Sequence, residues 1–210
     1  MSLSLNEVEA TAKRAARGAG YPWGLAEEAA KATRWLCAHD FDGCAALAGL
    51  LQKVDGTDVA NWSPVPGGGV WNAADGALCP LATGTAISDR AHEGAANCIR
   101  LGGIAHPILL APFAALLAQQ VGQTVTLELP GAKLSTDGDE IGLNGTISEA
   151  SPWASVGFGG TVGRPKQRCH RAQPDPCAWT TLATYAHRTY APATEESRLK
   201  GAGAGLTDND

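Results

Sequence analysis

The stretch Ser4-Leu-Asn-Glu-Val-Glu-Ala-Thr-Ala-Lys-Arg-Ala-Ala-Arg-Gly18 carries the signals of a capped helix. The Ser4 hydroxyl can accept a hydrogen bond from the Glu7 amide while the Glu7 side chain reaches back, which is a capping box. Basic residues up to Arg17 suit the negative C-terminal end of a helix, and the glycines at 18 and 20 can end it. The spacing therefore predicts a helix that runs to about Arg17.

Two more helices are predicted before residue 52. The rigid segment Tyr21-Pro22-Trp23-Gly24 comes before a run whose small and apolar residues recur at helical spacing on one face. A short linker between two such helices predicts an antiparallel pair. Asp42-Gly43 turns the chain, and Cys44 to Leu51 is predicted to form a third, short helix.

Residues 53–171 are predicted to be rich in β-structure. From 53 to 85, glycines and prolines break any long element, so we expect ordered loops with short strands near 59–63 and 69–73. Trp62 and Trp71 are the large residues expected to pin these loops.

Further along the chain, periodicity predicts one apolar helix and several strands. The helix covers about 112–121, with Pro112 in its first turn. The alternating Val125-Thr-Leu-Glu-Leu129 is typical of a half-buried strand. Asp137-Gly138 predicts a hairpin between 132–135 and 140–144, and residues 153–158 are a further strand candidate.

The C-terminal part, residues 172–210, is predicted to be helical with a glycine-rich tail. Asp175-Pro176 supplies an N-cap and a first-turn proline for a helix. The tail, Gly201-Ala-Gly-Ala-Gly-Leu-Thr-Asp-Asn-Asp210, is taken as ordered. A frayed end, or insertion into another subunit, are the alternatives that its composition leaves open.

The order of helices, then strands, then helices predicts an α+β fold. We expect a single domain over 1–210, with a helical part (1–52), a β-rich part (53–171) and a second helical part (172–210). Because strands do not alternate regularly with helices, a doubly wound parallel sheet is not expected.

Composition narrows the classes of function. The formal net charge is −5, which argues against nucleic acid as the partner. No apolar run approaches the roughly 20 residues of a membrane span, and the first residues lack a signal-peptide pattern. We therefore expect a cytoplasmic protein with no membrane contact.

The six cysteines include no closely spaced pair. Structural zinc sites usually place two ligands at tight spacing, so no metal site is expected. No cofactor motif is present either. In the cytoplasm such thiols most often serve as small buried hydrophobic groups.

The densest polar cluster is Thr83-Gly-Thr-Ala-Ile-Ser-Asp-Arg-Ala-His-Glu93. On a helix, Ser88 and Asp89 would share a face with His92. His92 is the candidate acid–base group with Asp89 fixing its tautomer, while Arg90 and Ser88 are candidates for binding a substrate carboxylate. The alternative is a solvated helix end with local ion pairs.

His106 is the candidate for a second acid or base. It comes before Pro107 in an apolar run, and the proline favours an extended conformation at position 106. A catalytic role requires His106 to face the same cleft as His92. The alternative is a buried histidine of the core.

A glycine-rich loop, 157–163, leads into a basic segment. Arg164 and Arg168 are its candidate ligands for an anion such as phosphate. Pro165 stands where a phosphate-binding loop would begin its helix, so a solvated basic strand is the alternative.

Two segments resemble an uncharacterised bacterial family that is a domain of unknown function. They are Leu3-Ser-Leu-Asn-Glu-Val-Glu9 running on through Arg17-Gly-Ala-Gly-Tyr-Pro-Trp-Gly-Leu-Ala-Glu-Glu-Ala29, and Thr189-Tyr-Ala-Pro-Ala-Thr-Glu-Glu-Ser-Arg198 with the tail. The resemblance implies no activity and no catalytic residues.

Three functions therefore remain open. The first is a small cytosolic enzyme that acts on a carboxylate-bearing metabolite, either an amino acid or an organic acid, by histidine acid–base chemistry. The second is a noncatalytic accessory subunit or interaction protein, for which a second copy of the chain is a candidate partner. The third is an anion-binding or sensing module built on residues 157–171.

Overall fold

Helices occupy both ends of the chain and strands its centre in this computed structural model, which describes residues 1–65, 69–90 and 98–190. The α-helices in these residues are α1 (Leu5–Gly18), α2 (Trp23–Ala38), α3 (Gly43–Val54), α4 (Pro80–Asp89), α5 (Ala111–Val121) and α6 (Pro176–His187). The α+β class predicted from the order of elements is confirmed. The tail predicted to be ordered, at 201–210, lies outside the described residues.

The main sheet has seven strands and is mostly antiparallel. Its strands, in spatial order, are β2 (Pro64–Val65), β3 (Val70–Ala73), β4 (Ile99–Leu101), β10 (Ala154–Phe158), β6 (Val125–Leu129), β7 (Ala132–Thr136) and β8 (Ile141–Gly145). Only the β3–β4 pair within this sheet is parallel. Four short strands make two further pairs, β1 (Leu3–Ser4) with β11 (Arg171–Ala172) and β5 (Ile104–Ala105) with β9 (Ala150–Ser151).

Side-chain caps fix the starts of three helices. Ser4 Oγ accepts from the Glu7 amide at 3.1 Å, as the capping-box pattern predicted. Asp42 accepts from the Ala45 amide, and Asp175 accepts from the Ala178 amide, each at 2.9 Å. Each cap satisfies an amide that has no partner within its helix, which stabilises the helix by about 1 kcal/mol.

Helices α1 and α2 form the antiparallel pair that their short linker predicted. Arg34, late in α2, donates to Glu9, early in α1, at 2.6 Å. Lys13, later in α1, pairs with Glu27, early in α2, at 2.7 Å. The two ion pairs therefore lie at opposite ends of the same helix–helix contact.

Helix α2 is the centre of the helical layer. It packs against α1, α3, α4 and α5. Its buried face consists mainly of small residues: Ala26, Ala29, Ala30, Ala32, Thr33, Leu36 and Cys37. Small side chains allow helix axes to approach closely, so four neighbours fit around one helix.

The segment 53–85 differs from its prediction in two places. Residues Val59–Trp62 form a 3-10 helix where a strand was expected, because the Asp58 carboxylate accepts from the Ala60 amide at 2.9 Å and caps a helical turn. Helix α4 was not predicted. Pro80 begins it, and the Phe113 ring of α5 packs directly on Gly84, so a tertiary contact supports a sequence of weak helical propensity. The strand expected near 69–73 is confirmed as β3.

Among the described residues, no helix is both long enough and apolar enough to cross a membrane.

A glycine contact between α1 and α6 supplies a stability test. A Cβ atom on Gly18 would collide with the backbone carbonyl oxygen of Tyr185, whereas a Cβ on Gly24 would meet nothing within 4 Å. We expect Gly18→Ala to lower the free energy of unfolding by about 1–3 kcal/mol, since two backbones must separate. Gly24→Ala, the matched control, should be neutral or stabilising by up to about 1 kcal/mol. Urea denaturation of both variants measures this, and equal stabilities would contradict the packing.

Candidate functional site

A cavity in the described part of the chain lies between α2, α4 and α5, and we call it the α2–α4–α5 cavity. Its volume is about 550 Å³, which is in the usual range for small-molecule sites. Its lining residues are Pro22, Gly24, Leu25, Glu27, Glu28, Thr85, Ser88, Asp89, Phe113, Leu116 and Gln120. Two residues of the predicted site, Ser88 and Asp89, therefore lie on its wall.

The last turn of α4 positions both of these residues. The Ser88 hydroxyl donates to the Gly84 carbonyl at 3.0 Å, which fixes its rotamer and leaves its oxygen lone pairs available as acceptors. Gly84 itself is held against Phe113 of α5. The α4–α5 contact thus sets the width of the cavity at this end.

The ionisable side chains on the cavity wall are all acidic. Glu27 pairs with Lys13 at 2.7 Å, and Glu28 pairs with Lys31 at 2.8 Å. The hydrogen bond from Lys13 lowers the pKa of Glu27 below its ordinary value. Asp89, on the opposite wall, adds a third carboxylate, so the cavity favours a ligand that carries a positive group.

Arg90 follows Asp89 and caps the C-terminus of α4. Its guanidinium carbon lies 5.4 Å from the centroid of the Trp71 ring, which is a cation–π geometry. Trp71 is buried in β3, so it anchors Arg90 beside the end of the helix. His92, the candidate acid–base group, falls at 91–97, outside the described residues.

His106 is a buried residue, and it is not among the residues that line the α2–α4–α5 cavity. It has a left-handed backbone, with φ 41° and ψ 57°, and its amide donates to the Glu149 carbonyl at 2.6 Å. Its ring packs on Gly49 of α3, where a Cβ would collide with it. The structure thus brings Ser88 and Asp89 together and places His106 in the core beside α3.

Two buried histidines have a lowered pKa. Burial is the main cause for His106, and the nearby Lys53 adds to it, while Glu149 opposes it. Burial also lowers the pKa of His39, whose Nδ1 lies 2.7 Å from the Trp35 carbonyl oxygen. Both rings are therefore held in the neutral form at neutral pH.

The basic segment does not converge on one anion site. Arg168 donates to the Asp139 carbonyl at 2.9 Å, and Lys166 lies 3.6 Å from Asp40. Arg171 donates to Ser2 at 2.8 Å, and Arg164 is exposed. These cations contact different parts of the protein, so the structure does not bring Arg164 and Arg168 together around a common ligand.

A second cavity, of about 340 Å³, lies at the C-terminal end of α2, and we call it the thiol cleft. Its lining residues are Cys37, Asp40, Phe41, Asp42, Cys169, Arg171, Ala172, Gln173 and Pro174. Neither cysteine of this cleft is among the candidate site residues predicted from sequence. The Asp42-Gly43 turn is a signal for Cys37, because it folds the chain carrying Cys44 back towards the end of α2.

Cys79 is a buried thiol that, unlike Cys37 and Cys169, does not line the thiol cleft. It is the N-cap residue of α4, so it lies at a helix N-terminus. Full burial raises its pKa, however, and its sulfur lies 3.3 Å from the Tyr21 hydroxyl. Cys79 is therefore a core residue. Among the described residues, no group of three or more His, Cys, Asp or Glu side chains is arranged to hold a metal ion.

Comparison with known proteins finds a family match for the N-terminal part of the chain. Residues 3–79 match a family described as "Protein of unknown function (DUF3726)". This match confirms the resemblance seen in the N-terminal sequence. The matched range includes α2, which lines both cavities, and ends before Ser88 and Asp89. No curated protein and no solved structure matches the chain.

The buried histidines predict a specific loss of stability in acid. An unfolded histidine binds a proton near pH 6.5, whereas the lowered pKa keeps His106 and His39 neutral in the folded protein until lower pH. Protons therefore favour the unfolded state below about pH 6.5, by up to about 1.4 kcal/mol per pH unit for each ring.

His106→Asn should remove about half of this slope, because asparagine tolerates the left-handed backbone and does not titrate. Urea denaturation at pH values from 8 to 5 measures the slope for both proteins. An unchanged slope in the variant would show that His106 does not resist protonation in the folded state.

Proposed function

We propose that the protein is a small cytoplasmic enzyme that acts on an amino acid bound in the α2–α4–α5 cavity. The observation that supports this most is the position of Ser88 and Asp89. Thr85, Ser88 and Asp89 of the polar cluster chosen from sequence for its chemistry line a cavity of about 550 Å³. A site of that size, with acidic groups on an otherwise largely apolar wall, suits a small metabolite.

The acidic groups of the cavity favour those carboxylate-bearing metabolites that also carry a positive group. Lys13 and Lys31 already pair with Glu27 and Glu28. Asp89 is then the carboxylate best placed to bind a protonated amine. A simple organic acid would bring only negative charge to this wall, whereas an amino acid also supplies an ammonium group.

The proposed roles follow from this choice. Asp89 binds the ammonium group or orients His92, and Ser88 accepts a hydrogen bond from the ligand. Arg90 is next along the chain, over the Trp71 ring rather than on the cavity wall, and its guanidinium fork is proposed to bind the substrate carboxylate. His92 is proposed to transfer the proton.

The apolar part of the wall indicates the kind of side chain. Leu25, Phe113 and Leu116 line the cavity together with Pro22. Burying a ligand side chain against them contributes about 25 cal/mol per Å² of apolar surface. We therefore propose an aliphatic or aromatic amino acid as the substrate class.

A thermal-shift comparison tests the binding step. Apolar amino acids should raise the melting temperature of the wild type, by about 2–4 °C for each kcal/mol by which the ligand stabilises the folded state at the concentration used. The 2-hydroxy acids with the same carbon skeletons, which lack the amine, should not. Asp89→Asn should lose the shift, and Asp75→Asn, the same change on an exposed turn, should keep it.

A second variant, His92→Gln, tests the catalytic step separately from binding. His92→Gln should keep the thermal shift and lose consumption of the bound amino acid, followed by NMR. The proposal fails if no apolar amino acid shifts the melting temperature at millimolar concentration, or if the Asp89→Asn protein responds as the wild type does.

One observation favours the accessory-subunit function as a second candidate. A smaller hollow of about 230 Å³ between α2 and α5 shares Glu28, Phe113 and Leu116 with the α2–α4–α5 cavity. Leu116 is 41% exposed there, so an apolar strip runs along both hollows. A second copy of the chain could pack on this strip.

Light scattering after gel filtration distinguishes the two functions. The subunit function predicts a dimer that Leu116→Glu dissociates, because a charge would be buried at the interface. Val65→Glu, a matched change at an exposed site, should leave that dimer intact. A wild-type monomer at all concentrations would contradict the subunit function and leave the enzyme proposal standing.

A further inference from the structure

Three cysteines lie at or directly behind the thiol cleft. Cys37 is in the last turn of α2, and Cys44 is in the first turn of α3. Cys169 arrives from the segment before β11, where its amide donates to the Ala38 carbonyl at 2.8 Å. Cys37 and Cys169 both line the cleft, and Cys44 is fully buried behind it.

A tight turn holds the start of α3, which carries Cys44, against the last turns of α2, which carry Cys37. A Cβ on Gly43 would lie 2.6 Å from the Thr33 carbonyl oxygen and 2.9 Å from the Leu36 Cβ. The start of α3 therefore packs directly on the α2 backbone, and only glycine fits there. Asp42 anchors the turn on both sides, since one carboxylate oxygen accepts from the Ala45 amide and the other from the Asp175 amide, each at 2.9 Å.

The Cys44 thiol is the main cause of a lowered pKa at Cys37, and the amides of Gly43 and Cys44 add to it. The amides belong to the N-terminus of α3, where a negative charge is stabilised. Burial of Cys37 opposes this effect, and Asp42 opposes it to a smaller extent. The two thiols thus differ: the pKa of Cys37 is lowered and Cys37 borders the cleft, whereas the hydrogen bond to Cys37 and burial raise the pKa of Cys44.

We propose that Cys37 and Cys44 are a redox-active dithiol that reduces small hydroperoxides entering the thiol cleft. The Cys37 thiolate attacks the terminal peroxide oxygen, the O–O bond breaks, and the released alkoxide takes a proton from water. This leaves Cys37 as a sulfenic acid. The Cys44 sulfur then attacks the Cys37 sulfur, the S–O bond breaks, and the hydroxide leaves as water with the Cys44 proton. Two electrons pass from the dithiol to the peroxide, and a disulfide results.

This activity is independent of the proposed amino-acid site. The thiol cleft contacts the C-terminal end of α2, while the α2–α4–α5 cavity contacts its N-terminal end. The oxidation chemistry uses none of the residues proposed to bind the amino acid. Failure of one proposal therefore leaves the other standing.

The test treats full-length protein with one equivalent of hydrogen peroxide. The exposed Cys98 and Cys177 are first changed to serine, so that the surface thiols do not react. Peptide mapping should show a Cys37–Cys44 disulfide that dithiothreitol reverses. In this background Cys44→Ser should leave a Cys37 sulfenic acid that dimedone traps, and Cys37→Ser should abolish the reaction. Cys79→Ser, which removes another buried thiol, should react as its parent does.

Circular dichroism establishes that each variant is folded, and dimedone labelling of the parent protein tests Cys37 without any change to the dithiol. The proposal is overturned if Cys37 remains reduced while the protein is folded, or if its partner in the disulfide is Cys169.

Discussion

Close packing around α2 is the constraint on which the rest of the structure depends. A helix surrounded by four others keeps mainly small side chains on its buried face, and in α2 these are alanines, Thr33 and Cys37, with Leu36 near the C-terminal end. At Gly43 the start of α3 touches the α2 backbone itself, with a would-be Cβ only 2.6 Å from a carbonyl oxygen. A larger residue at such a point would move two helices, because packed interiors have little free volume.

The same packing creates both sites. Where the neighbours of α2 diverge at its N-terminal end, the α2–α4–α5 cavity opens between Glu27 on one wall and Asp89 on the other. At its C-terminal end, beside the tight turn into α3, the largely buried Cys37 borders a second cleft and Cys44 is fully buried. One helix therefore borders both proposed sites, the amino-acid site at one end and the thiol site at the other.

Sequence signals that act over a few residues predicted much of the fold, but they predicted fewer of the residues that line the two cavities. Caps such as Ser4 and Asp175, and the alternation in β6, act within a few residues, so the sequence alone locates those elements. Helix α4 was not predicted because it is supported by the packing of Phe113 on Gly84, a contact between residues that are distant in sequence. Ser88 and Asp89 were found as part of a polar cluster, whereas the placement of His106 under Gly49 and the meeting of Cys37 with Cys44 depend on tertiary packing.

The most direct test of the central claim is hydrogen–deuterium exchange in the presence of apolar amino acids. If the cavity beside α2 is the binding site, protection should appear in peptides that cover 22–28, 80–90 and 111–120, which supply its walls. Peptides from the basic segment 164–171 should exchange as in the free protein. Protection confined to that basic segment, or none anywhere at saturating amino acid, would contradict the account.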